Sequence, residues 1–92
     1  MQNLKDMKYT FNQNVLVRVI GDTTLVYNQE NSDMYELNDI GSGILHLLKD
    51  SIEIPQIFTQ MCQDYGVTED EIYDDINDFI SRMVELKIID LI

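Results

Sequence analysis

Tyr35-Glu36-Leu37-Asn38-Asp39-Ile40-Gly41-Ser42-Gly43-Ile44-Leu45 is the stretch that decides the fold of this 92-residue chain. A strand-like run ends at Leu37, and Asn38 stands where a helix N-cap belongs. Its side-chain oxygen can accept backbone N–H groups that have no partner inside the helix. From Asp39 to about Lys49, Ile40, Ile44, Leu45, Leu47 and Leu48 form a broad apolar stripe. Gly41 and Gly43 weaken this helix intrinsically, so tertiary packing must hold it. Close approach to a neighbouring element is the natural use of those glycines.

Upstream of the corner, the residues alternate. Val15-Leu16-Val17-Arg18-Val19-Ile20 is rich in β-branched side chains and stops at Gly21-Asp22, a turn pair. Thr23-Thr24-Leu25-Val26-Tyr27 reads as its hairpin partner. Asn28 to Asp33 is a polar turn, and a short third strand runs from Met34 to Leu37. Residues 1–14 lack a sustained period and read as a loose N-terminal arm, although Tyr9 and Phe11 alternate and can begin an edge strand. Residues 15–92 then form the domain proper.

Downstream, Pro55 suits the first position of a second helix, where its missing N–H costs nothing. Ile54, Ile57, Phe58, Met61, Cys62 and Tyr65 give that helix an apolar face, and Gly66 fits a left-handed C-terminal cap. Thr68-Glu69-Asp70-Glu71 is a capping box, with three carboxylates near the positive end of the helix dipole. The third helix continues to about Leu86, with Ile72, Ile76, Phe79, Ile80 and Met83 on one face. Ile88 to Ile92 is an apolar tail that either covers the core or adds a strand. The expected fold is a winged-helix-like α+β domain: a three-stranded antiparallel sheet followed by a three-helix bundle.

Charge narrows the partners. The formal net charge is −11. Residues 1–49 hold six acids against four bases, whereas residues 50–92 hold eleven against two. Such a surface repels phosphate backbones and anionic lipid, so nucleic acid and membrane are not expected partners. Basic peptides or basic protein surfaces are favoured electrostatically. No basic segment precedes an apolar run, and no apolar stretch nears roughly 20 residues, so a cytoplasmic location is expected.

The Tyr35-Glu36-Leu37-Asn38 corner, the glycine-containing helix start and the acid-capped last helix together resemble the PqqD-like family. The family pattern runs tyrosine, a polar residue, leucine, asparagine, then a helix opening near a small-residue pair. Asp75-Ile76 followed by Phe79-Ile80 also resembles the family's acidic–apolar pattern in its last helix. Two positions depart from it: Leu45, where an aromatic is common, and Lys87, where a glycine often precedes the final apolar residues. The resemblance spans about Val15 to Ile89. It implies a stand-alone recognition element of a ribosomal peptide pathway, which binds a precursor's leader segment by β-strand addition and presents it to a maturation enzyme. That enzyme would be a leader peptidase and cyclase of a lasso-peptide system, or a radical S-adenosylmethionine protein. By the same resemblance, Asp33, Met34, Tyr35 and Glu36 offer the strand backbone. Ile72, Asp75, Ile76, Phe79 and Arg82 form the opposing wall, with Asp75, Asp78 and Arg82 toward one edge of the helical stripe, placed to pair with leader charges.

Plainer readings stand beside this one. Helical stripes such as Ile72, Ile76, Phe79 and Met83 ordinarily face the domain interior. Acidic runs are ordinarily solvated faces. Cys62 has no second cysteine to pair with, His46 lacks companions at metal-ligand spacing, and Asp74, Asp75 and Asp78 lack the loop and turn glycine of a calcium site. Ser42 and Ser51 lack the context of a nucleophile. No cofactor is expected, and the chain is not read as an enzyme. Two other functions fit the fold: a winged-helix DNA-binding regulator and a non-catalytic subunit of a larger enzyme. Against the first, six acids follow Thr68 before any base.

Overall fold

In the computed structural model, which describes residues 4–92, a short 3-10 turn at Leu4–Asp6 leads into strand β1 (Tyr9–Phe11). The expected meander follows as β2 (Val15–Ile20), β3 (Thr23–Asn28) and β4 (Asp33–Leu37). Three helices come next, α1 (Asp39–Lys49), α2 (Ile54–Tyr65) and α3 (Glu69–Glu85), and strand β5 (Ile89–Leu91) closes the chain. The meander is one antiparallel sheet in the order β2-β3-β4, with Val26 between Val17 and Tyr35. Its inner face lies on the helices, with Val26 buried beside Ile44, Leu45, Leu48, Phe58, Ile76 and Met83 in a single core.

One expectation needs correction. The segment preceding Asn14 is not a loose arm over its described length, because β1 pairs with β5, setting Tyr9 against Leu91 and Phe11 against Ile89. Leu4 is buried in the core, and the Tyr9 hydroxyl donates to the carbonyls of Ile52 (2.5 Å) and Leu48 (3.2 Å) at the end of α1. The shorter bond gives the Ile52 carbonyl, in the turn after α1, a partner from β1. Burial, with the Asp50 carboxylate nearby, raises the Tyr9 pKa to about 12. The C-terminal tail does both things foreseen for it: Ile88 and Ile89 are buried, and β5 completes the second sheet.

The caps follow the sequence closely at the N-termini. Asn38 Oδ1 accepts from the Gly41 N–H at 2.8 Å. Thr68 Oγ1 accepts from the Glu71 N–H, and Glu71 Oε1 from the Thr68 N–H, so the capping box closes. The C-termini are less obvious. Gly66 ends α2 in the left-handed region (φ +63°) as expected. Helices α1 and α3 also end through a left-handed residue, but there it is Ser51 (φ +62°) and Lys87 (φ +61°). In each, paired bonds return to the last turn: Ser51 and Ile52 donate to Leu48 and Leu47, and Lys87 and Ile88 to Val84 and Met83. This is the Schellman arrangement, built here without glycine. Buried Asn28 ties β3 to the second of these turns, donating to the Leu86 carbonyl at 3.3 Å.

Candidate functional site

Among the described residues, the outer side of β4 has no neighbouring strand in the sheet. An edge strand keeps one row of backbone N–H and C=O groups unpaired, a template for another extended segment. The side chains of β4 divide between the two faces. Tyr35 shares the inner face with Val26, whereas Met34 and Glu36 point outward and Met34 is 61% exposed. The Tyr35 hydroxyl donates to Asp33 Oδ2 at 3.1 Å. Desolvation, then that bond and the Asp33 charge, raise its pKa, opposed by the positive charge of Arg82, which therefore lies near the strand.

Where β4 turns into α1 opens a groove of about 500 Å³, lined by Asn38, Ile40 and Gly41 on one side. Asp75, Asp78, Phe79, Ser81, Arg82 and Glu85 of α3 form the other wall. The floor is set by a close approach. A Cβ on Gly41 would stand 2.9 Å from Phe79 Cε1, so only glycine lets the half-buried phenyl ring lie against α1. The groove therefore combines an apolar patch (Ile40 and Phe79) with three carboxylates and one guanidinium. It has the components to hold a chain segment with an apolar anchor and charged neighbours.

Of the α3 residues expected on the wall, Asp75, Asp78, Phe79 and Arg82 come together in the groove. Ile72 and Ile76 do not: they are 3% and 0% exposed and belong to the core. The reason is helical phase, since Ile72, Ile76, Ile80 and Met83 share the inward stripe of α3. The side chains of Met34 and Glu36 are on the far side of the sheet, leaving only their backbone available along the edge. Asn38, Ile40, Gly41, Ser81 and Glu85 line the groove without having been assigned to it. Asn38 and Gly41 carried a signal as cap and close-approach glycine; Ser81 and Glu85 follow from Asp78 and Arg82 once the helix rotation is known.

Among the described residues, no group of three or more His, Cys, Asp and Glu side chains is gathered to hold a metal. No helix among them is long and apolar enough to cross a membrane.

No protein of curated function matches the chain in sequence. Two solved structures share its fold. "TbiB1 in Complex with the TbiA(beta) Leader Peptide" superposes with a TM-score of 0.82 at 20% identity, over 88% of this chain and 94% of that one. "Lasso peptide synthetase B1 complexed with the leader peptide" does so with a TM-score of 0.77 at 15% identity, over 89% and 96%. The family profile of coenzyme PQQ synthesis protein D (PqqD) matches residues 23–89, from β3 through the start of β5, and the chain belongs to that family.

Proposed function

We propose that this chain is a non-catalytic recognition element that binds the leader segment of a ribosomally made precursor peptide. The leader adds as a strand to the free edge of β4, taking main-chain hydrogen bonds from Asp33 to Glu36. Alternate side chains then enter the groove, where Phe79 supplies the apolar anchor and Asp75, Asp78 and Arg82 meet polar or charged neighbours. Ile72 and Ile76 act from beneath, holding α3 at its distance from the sheet. The observation that carries this reading is an unpaired strand edge that leads through Asn38 into a groove of mixed chemistry, with Arg82 of that groove near Tyr35 of the strand. The two similar structures, each a leader-peptide complex, support it.

Bound in this way, the remainder of the precursor is delivered to a separate maturation enzyme, a leader peptidase and cyclase or a radical S-adenosylmethionine protein. Tethering raises the effective concentration of the reacting segment, so the domain contributes to rate without doing chemistry. The work belongs in the cytoplasm, where precursors are made. Titration calorimetry with the synthetic leader of the precursor encoded with this chain tests the proposal. Saturable one-to-one binding is expected; no binding of the free leader would overturn it and favour a purely structural subunit.

A further inference from the structure

The outer face of the β2-β3-β4 sheet is unlike the solvated face of an ordinary antiparallel sheet, which is polar. Cross-strand neighbours share a face, so the register places Leu16, Tyr27 and Met34 in one outward row. The next row is Arg18, Leu25 and Glu36, and Ile20 follows beside Thr23. Leu16 is 52% exposed and Ile20 56%. Together these side chains shape a concavity of about 410 Å³ whose lining includes Arg18 but no acid. A contiguous apolar surface of this kind marks an interaction site more often than an accident of composition.

We infer that this face docks the separate maturation enzyme, through an apolar patch on that enzyme rimmed by Lys and Arg. The chemistry of the partner follows from the surroundings. Asp22 in the β2–β3 turn and Glu36 in the outward row of β4 stand at the margins of this face, on a chain whose net charge is −11. A second copy of the chain is the wrong partner, because two bodies of net charge −11 would be brought face to face. A basic rim on a different protein is attracted by the same charge. The face is also continuous with the strand edge proposed to take the leader. A strand added beyond β4 prolongs the row that ends at Met34, so the enzyme would rest on protein and peptide together. The identity of the partner rests on the proposed function; the surface itself does not.

The double variant Leu16→Ser/Ile20→Ser tests this. Both side chains are exposed on β2, away from β4 and α3, so a native circular dichroism spectrum and unchanged leader affinity are expected. Affinity for the purified maturation enzyme encoded with this chain should fall about tenfold or more, as for truncation of central interface side chains. Added salt should weaken the wild-type complex. Unchanged enzyme affinity in a folded, leader-binding double variant would overturn the inference. So would sedimentation showing a wild-type dimer that the double variant dissolves, which would give the face to a second copy. Failure of the wild type to bind leader sinks the proposed function instead, whatever the enzyme affinity.

Discussion

Two stripes of α3 lie a fraction of a turn apart and do opposite things. Ile72, Ile76, Ile80 and Met83 are buried against the sheet and the other helices. Asp75, Asp78, Phe79, Arg82 and Glu85 face the groove beside β4. The inward stripe is uniformly apolar, because any polar group there would be desolvated without a partner. The groove stripe mixes one ring with four charges, a composition too polar to drive folding but suited to reading a ligand. The difference teaches that one helix can divide its sequence between stability and recognition, with Phe79 at the boundary between the two.

Substitutions can break that division or sharpen it. Ile76→Ala should have the largest effect, costing about 2–5 kcal/mol of stability by leaving a cavity at a fully buried site. Urea unfolding measures the loss, while leader affinity of the folded fraction stays at the wild-type value. Phe79→Ala should invert the pattern. Calorimetry should read a leader affinity roughly tenfold to hundredfold weaker, with a much smaller change in urea midpoint. Equal affinity in a folded Phe79→Ala protein would remove the groove from the account.

Gly41→Ala sharpens the comparison by acting on Phe79 indirectly. The new methyl meets the ring at 2.9 Å and drives it into the groove, so leader affinity should drop by about threefold to tenfold. Stability should change little, since better helix propensity, about 1 kcal/mol, offsets the crowding. Adding Gly41→Ala to Phe79→Ala should bring no further loss of affinity, the signature of two residues acting through one contact.

Two smaller effects lie outside both stripes and should leave leader binding alone. Lys87→Gly relieves a left-handed backbone at the end of α3 and should stabilise by about 0.5–1 kcal/mol in urea unfolding. Tyr9→Phe tests the alkaline limb. Because the folded pKa of Tyr9 is raised to about 12, the folded chain holds a proton that the unfolded chain releases above its ordinary pKa near 10. The stabilisation is complete below about pH 10 and lost as pH rises through about 12. Denaturant midpoints of the phenylalanine variant should therefore fall less steeply across that window.

Much of the fold was legible because short-range chemistry and tertiary need agreed. Asn38 and the Thr68–Glu71 box are caps in the sequence and caps in the structure, and the alternation from Val15 to Leu37 became the meander. The β1–β5 pairing was not legible in the same way. Tyr9-Thr10-Phe11 is three residues long, and nothing local specifies a partner eighty positions away. The turns at Ser51 and Lys87 were hidden for a related reason: neither is glycine, and the carbonyls of α1 and α3 impose the left-handed backbone from outside. Within the site, Asp75, Asp78, Phe79 and Arg82 fell on the groove and Ile72 and Ile76 on the core. Sequence periodicity gives the spacing of a helical stripe, but only packing against the sheet fixes its rotation.

The central claim is that the free edge of β4 takes the leader as an additional strand. Amide hydrogen exchange, followed residue by residue with and without saturating leader peptide, tests it most directly. Slowed exchange at alternate amides of residues 33–37, with β2 unchanged, is the predicted result. Leader binding that leaves every amide of β4 as fast as in the free protein, or that protects β2 instead, would contradict it.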